Sequence, residues 1–277
     1  MTVVAMLQGA EVPDRAASMD ALALAQRLNV PVRGVCALPD PNAAMIVMAT
    51  PEATGLAATA TRDLAALQEK IIGKAKEVFE EVTSSGAHGL TCTFTHEVNI
   101  AERAGANAAT LADAVVFPHS AQKGMDPLNP SFEHVLMEAR LPLVLSGTRP
   151  IETGPVIIAW DGSNGAARAV RFHLDLIKAF GDVVIAQSEP DLDKDEQRKS
   201  ADPTVLEEWL SVHDISARRM PIEGEVASGL LSMAKACEAS MIVAGAYGHS
   251  RIGERLFGGT TRNLLEASDA PALALAR

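Results

Sequence analysis

Aromatic residues are scarce: seven Phe, two Trp and one Tyr make up 4% of 277 residues, although 48% of the chain is hydrophobic. The interior must be filled by Ala, Val, Leu, Ile and Met, the usual packing of helices on a buried parallel sheet, which favours α/β over a β-sandwich. Cysteine is also rare. Cys36, Cys92 and Cys237 are scattered, odd in number and without CxxC spacing, which argues against a disulfide framework or a zinc site and fits buried reduced thiols. Basic charge is in deficit, with 24 Lys and Arg against 35 Asp and Glu and a net charge of -11. Such a field repels nucleic acid and anionic membrane surfaces, so no partner of either kind is expected. No apolar run approaches the length that spans a bilayer, and the opening MTVVAMLQGAEVPD lacks a basic segment followed by a sustained apolar one. The expectation is a cytoplasmic protein.

Catalytic signatures are missing as well. There is no GxSxG elbow, no HExxH and no convincing Cys-His pair, so no catalytic residue is predicted and a non-enzymatic role is favoured over an enzymatic one. Adjacency of His119 and Ser120 does not make a nucleophile, because triads are recognised by spatial geometry. His119, Asp126, Glu133 and His134 have no known ligand spacing and read as ordinary loop and helix polarity, so no metal site is predicted.

What the chain does have is an internal repeat. TVVAMLQG opens the first half and VIIAWDGS the second; LADAVVFPHS lies over EASMIVAGAY; and EARLPLVLS and EASDAPALALA close the two halves alike. The repeat is architectural, with little identity. Between these anchors strands alternate with helices. The second half reads as strand 156–160, helix 165–180, strand 182–187, helix 203–212, strand 215–221, helix 226–238 and strand 241–245. The first has helices near 16–28, 57–83 and 101–111, and strands near 31–37, 90–95 and 114–117. Such alternation implies βαβ crossovers and a parallel sheet, so the predicted fold class is α/β, with two open, Rossmann-like domains in tandem and five strands in each. The Gly- and Pro-rich stretch 147–155 separates the domains, placed at 1–148 and 153–277. Two segments depart from the repeat: 39–61, a proline-marked stretch that reads as a tucked helix or strand, a lid or a partner-binding arm, and 189–203, a charged run that reads as a solvated loop.

After the fourth strand of the second half, GAYGHSRIGERLFGGTTRNLL places Gly245, Gly248, Gly258 and Gly259 ahead of Thr260 and a helix. In an open α/β sheet this position lies outside a strand's carboxyl end, where ligands bind at a topological switch point. Glycines there admit a phosphate close to the backbone, and a helix N-terminus adds partial positive charge and free N–H donors. An anion is the expected guest. The spacing is neither GxxxxGK[ST] nor GxGxxG. A packing reading stands beside this one, in which the glycines only permit a tight return from sheet to helix. Asp161 likewise reads as a helix N-cap or a turn former. Arg251 is a candidate charge for phosphates, while Arg255 and Arg262 suit a helix surface equally well.

The spacing G-x2-G-x9-G, together with Asp161 in VIIAWDGS and the closing APALALA strand, resembles the universal stress protein (UspA) family over 153–277. The first half resembles it in element order and end strands. The resemblance implies a stress-response regulator that binds ATP or a related nucleotide, with any magnesium carried by the nucleotide. Its site residues would be Asp161, Gly245, Gly248, Arg251, Gly258, Gly259 and Thr260. Where the family pattern has Ser or Thr after the third glycine this chain has Gly259, which removes one neutral hydrogen bond worth about 1 kcal/mol. The alternatives are an interaction scaffold with a vestigial loop and, behind it, a slow ATPase. The first half has Gln8 in place of Asp161 and Pro118-His119-Ser120 in place of Gly245-Ala246-Tyr247, so it cannot form the same cradle. Paired single-domain members imply that the halves pair within one chain, with a homodimer of such chains as a further level.

Overall fold

The computed structural model describes residues 2–40, 54–188, 202–246 and 259–277, without side-chain detail at 54–61, Asn99 and Ala101. Most of 39–61, nearly all of 189–203, and Gly248, Arg251, Arg255 and Gly258 lie outside the described residues. The chain divides into two compact units, Met1–Ala25 with Val30–Ala139, and Gln26–Asn29 with Arg140–Arg277.

The first unit runs β1 Val3–Leu7, α1 Glu11–Leu28, β2 Val32–Pro39, α2 Thr54–Gly86, β3 Cys92–Asn99, α3 Ala101–Ala109, β4 Ala114–Phe117 and α4 Asn129–Met137. Its strands lie in the order β3-β2-β1-β4, all parallel. β1 and β4 read VVAML and AVVF and are buried throughout, as expected of strands covered on both faces. Adjacent residues of β2 show the two layers. A Cβ on Gly34 would meet Phe79 of α2, while Arg33 donates to the Ala108 carbonyl at the end of α3; successive strand residues point to opposite faces. α1 begins at Glu11, five residues earlier than the apolar pattern suggests, because Pro13 falls in the first turn, where its missing N–H has no intrahelical partner to lose.

The second unit runs β5 Leu143–Leu145, β6 Val156–Ala159, α5 Asn164–Phe172, α6 Leu174–Phe180, β7 Val183–Gln187, α7 Pro203–Val212, β8 Ala217–Pro221, α8 Val226–Ala236, β9 Met241–Gly245, α9 Gly259–Glu266 and β10 Ala272–Ala276. The strand order is β5-β10-β9-β6-β7-β8, parallel except for β5 against β10. The helix expected over 165–180 is two helices. His173 sits at the break, 1% exposed, with Nε2 3.2 Å from the Leu275 carbonyl of β10. The break lies in the backbone of His173 itself, at φ -105 and ψ 18.

The stretch between the halves is strapped to the second unit rather than free. Thr148 N–H donates to the Ala270 carbonyl at 3.0 Å, Arg149 to the Ala239 carbonyl at 3.2 Å, and Ser240 Oγ to the Glu152 carbonyl at 2.7 Å. No helix among the described residues is long and apolar enough to cross a membrane.

Candidate functional site

From β6 the chain crosses through α5 and α6 to β7 on one side, and later returns through α8 to β9 on the other. The carboxyl ends of β6 and β9 therefore lie side by side with crossovers diverging from them, which is where an open α/β sheet leaves a crevice. Four of the seven predicted site residues are described, and all four flank that crevice: Asp161 just beyond β6, Gly245 at the end of β9, and Gly259 and Thr260 in the first turn of α9.

Asp161 is exposed, and its Oδ1 accepts the Ser163 N–H at 2.9 Å. That bond, with Gly162 at φ 68, makes the tight turn out of the strand. Ser163, not Asp161, caps α5, its Oγ accepting the Ala166 N–H at 3.1 Å. Asp161 thus combines a turn role with a second oxygen, Oδ2, that no described residue engages. Trp160 beside it is 7% exposed, a core residue rather than an open stacking surface.

Gly245 has a packing reason to be glycine. A Cβ there would lie 2.6 Å from the Gly165 carbonyl carbon and 2.7 Å from the Ala166 nitrogen, so the start of α5 sits directly on the end of β9. Both helix N-termini flanking the crevice are thereby fixed. That of α5 rests on Gly245, and that of α9 is tied to it by Thr261, 6% exposed, whose hydroxyl donates to the Gly245 carbonyl at 3.1 Å. A Cβ on Gly259 would meet nothing within 4 Å. Thr260 is half-buried and makes no side-chain hydrogen bond to a described residue. Arg262 belongs to the helix surface, its Nε 2.7 Å from Glu266 Oε1.

The corresponding crevice of the first unit is filled by the protein itself. Gly9 has φ +80, and a Cβ on it would lie 2.6 Å from the Ile71 side chain of α2. Asp14, 0% exposed, accepts the Gln8 and Gly9 N–H groups at 2.9 and 2.8 Å. Gln8 Nε2 reaches Asp126 Oδ2 at 3.3 Å and Ser120 Oγ at 3.5 Å. Burial pushes the Asp14 carboxyl up to about 6, against the lowering pull of the backbone N–H groups. Asp126, first read as loop polarity, belongs to this cluster. Sequence reasoning missed Asp14, whose place in the first turn of a helix looks like ordinary favourable charge at an N-terminus; the Gln-Gly turn just ahead of it was the available signal.

The universal stress protein family model matches residues 152–275. The second half of the chain belongs to the universal stress protein family. A solved universal stress protein from Archaeoglobus fulgidus DSM 4304 covers 100% of this chain and 98% of its own at 14% identity and a TM-score of 0.64. Both halves of the chain therefore share the fold of that protein. A putative universal stress protein from Pseudomonas aeruginosa UCBPP-PA14 covers 99% of this chain and 92% of its own at 14% identity, with a TM-score of 0.49. A universal stress protein solved in complex with cAMP covers 45% of this chain and 97% of its own at 22% identity and a TM-score of 0.35. Among curated proteins none matches.

Proposed function

We propose that the second half of this chain binds ATP or a related adenine nucleotide, one per chain, as a regulator rather than an enzyme. The observation that carries this reading is the meeting of Asp161, Gly245 and the first turn of α9 at the β6/β9 crevice, with Thr261 holding the helix to the strand. Asp161 Oδ2 would accept from the nucleoside. The Gly259 and Thr260 N–H groups and the Thr260 hydroxyl would hold phosphate oxygens, and the open space beside Gly259 lets them come close to the backbone. The nucleotide brings its own phosphate charge and any magnesium. Family membership of 152–275 supports the reading, and the self-filled crevice of the first unit supports a stoichiometry of one. A stress-response role, a cytoplasmic location and pairing of the two domains, at 1–148 and 153–277, belong to the same proposal.

The test is calorimetry with ATP, ADP and cAMP on native protein and on Asp161→Ala. Saturable binding that weakens at least tenfold in the variant supports the proposal. No heat at millimolar nucleotide, with the protein folded by circular dichroism, overturns it.

A further inference from the structure

We propose that the first unit carries a proton-sensitive latch: with Asp14 protonated the 118–128 segment stays down on the β1–α1 turn, and ionisation of Asp14 drives Asp126 and that segment away from it. The proposal does not depend on nucleotide binding in the second unit.

Its basis is a carboxyl group placed where charge is costly. Asp14 is 0% exposed and serves as acceptor for the turn that leaves β1, whose Gly9 is pressed against Ile71 of α2. The turn has a second attachment. Gln8 extends its amide across to Asp126 and Ser120, so one side chain joins β1 to the segment after β4. Asp126 is itself a structural residue there: its Oδ1 accepts the Leu128 N–H at 2.9 Å, and Leu128 is 1% exposed. A shift of Asp126 therefore moves the start of α4. The Gln8 contacts, at 3.3 and 3.5 Å, are at the long end of hydrogen bonding and break first.

The charges around Asp14 leave Asp126 as the group that answers it. On its own helix Glu11 and Arg15 are drawn outward into pairs with Lys74 and Glu81 of α2. From β2 it faces Cys36, a buried thiol pushed up to about 12, by burial first and then by the charge of Asp14, and so neutral throughout. The 118–128 segment carries His119, Lys123 and Asp126. Asp126 is the one whose charge acts on Asp14, raising its pKa in the same direction as burial does. Gln8 binds the two carboxyls through different groups, Asp14 through its backbone N–H and Asp126 through its side-chain amide, and the two carboxylates repel each other once both are ionised.

Hydrogen exchange on the full chain at pH 5.0 and 7.5, corrected for intrinsic rates, reads the latch. Native protein is expected to exchange faster over 118–128 at the higher pH, by a factor that Asp126→Asn reduces. Asp126→Asn, which keeps an Oδ1 to accept the Leu128 N–H but removes the charge, is expected to lose that dependence. Carbon-13 titration of the Asp14 carboxyl should show a midpoint near 6, moving down in Asp126→Asn. Equal protection at the two pH values in native protein, an undiminished difference in Asp126→Asn, or an Asp14 midpoint near the ordinary carboxylate value overturns the proposal.

Discussion

At Gly245 the absent side chain makes room for a helix rather than for a ligand, because a Cβ would stand 2.6 to 2.7 Å from the backbone of Gly165 and Ala166. Gly245→Ala is expected to destabilise the second unit by about 2 to 3 kcal/mol, as overpacking against backbone does, measured by urea unfolding. Loss of binding in that variant would report misfolding, not a lost contact. Gly259 is the opposite case. Open space surrounds its missing Cβ, so Gly259→Ser should leave stability within about 0.5 kcal/mol. It should tighten ATP about fivefold, the effect of one neutral hydrogen bond of about 1 kcal/mol. Unchanged ATP affinity in a folded Gly259→Ser would show that position 259 does not face phosphate. Asp161 is the clean probe of the crevice, being exposed and bound only within its own turn.

Among the elements, the α5–α6 break shows what periodicity hides. Residues 165–180 read as one helix because the apolar pattern continues across His173, and nothing local announces that its ring reaches a carbonyl on β10, 102 positions away. The strands were easier. β4 and β9 appear at the expected residues because short, wholly apolar runs that follow a polar residue, Asp113 or Ser240, have few alternatives. At the candidate site, Asp161, Gly245, Gly259 and Thr260 were legible as a local pattern, and these four flank one crevice. Asp14 and Thr261 were not, since their importance arises from partners in other elements. His173 also carries a pH prediction. Burial holds its pKa down to about 4 from 6.5, opposed by the Leu275 carbonyl. Between those values the unfolded chain binds the proton more tightly than the folded one, so stability is lost as pH falls, up to about 3 kcal/mol. His173→Leu should flatten that dependence in the second unit; a stability equal at pH 4.5 and 7 in native protein would contradict it.

Across the whole molecule the two buried titratable groups, Asp14 and His173, contribute to the acid response with opposite signs. Asp14, raised from 3.8 to about 6, binds its proton more tightly when folded, so the first unit gains stability as pH falls from about 6 towards 4. His173 makes the second unit lose stability over much the same range. The terms are similar in size, about 3 kcal/mol each by linkage, so a global melting temperature hides them and hydrogen exchange resolved by unit reveals them. Exchange protection is expected to rise in the first unit and fall in the second between pH 7 and 4.5; a change of the same sign in both contradicts this. The proposed nucleotide binding is asymmetric as well, since in the first unit Gln8 bridges the crevice to Asp126 and Ser120 while in the second two helix N-termini frame it. The most direct measurement is therefore the stoichiometry of ATP binding to the full chain by calorimetry, repeated on Asp161→Ala. One nucleotide per chain, weakened at least tenfold in the variant, is the predicted result; two per chain, or binding that Asp161→Ala leaves unchanged, would contradict the account.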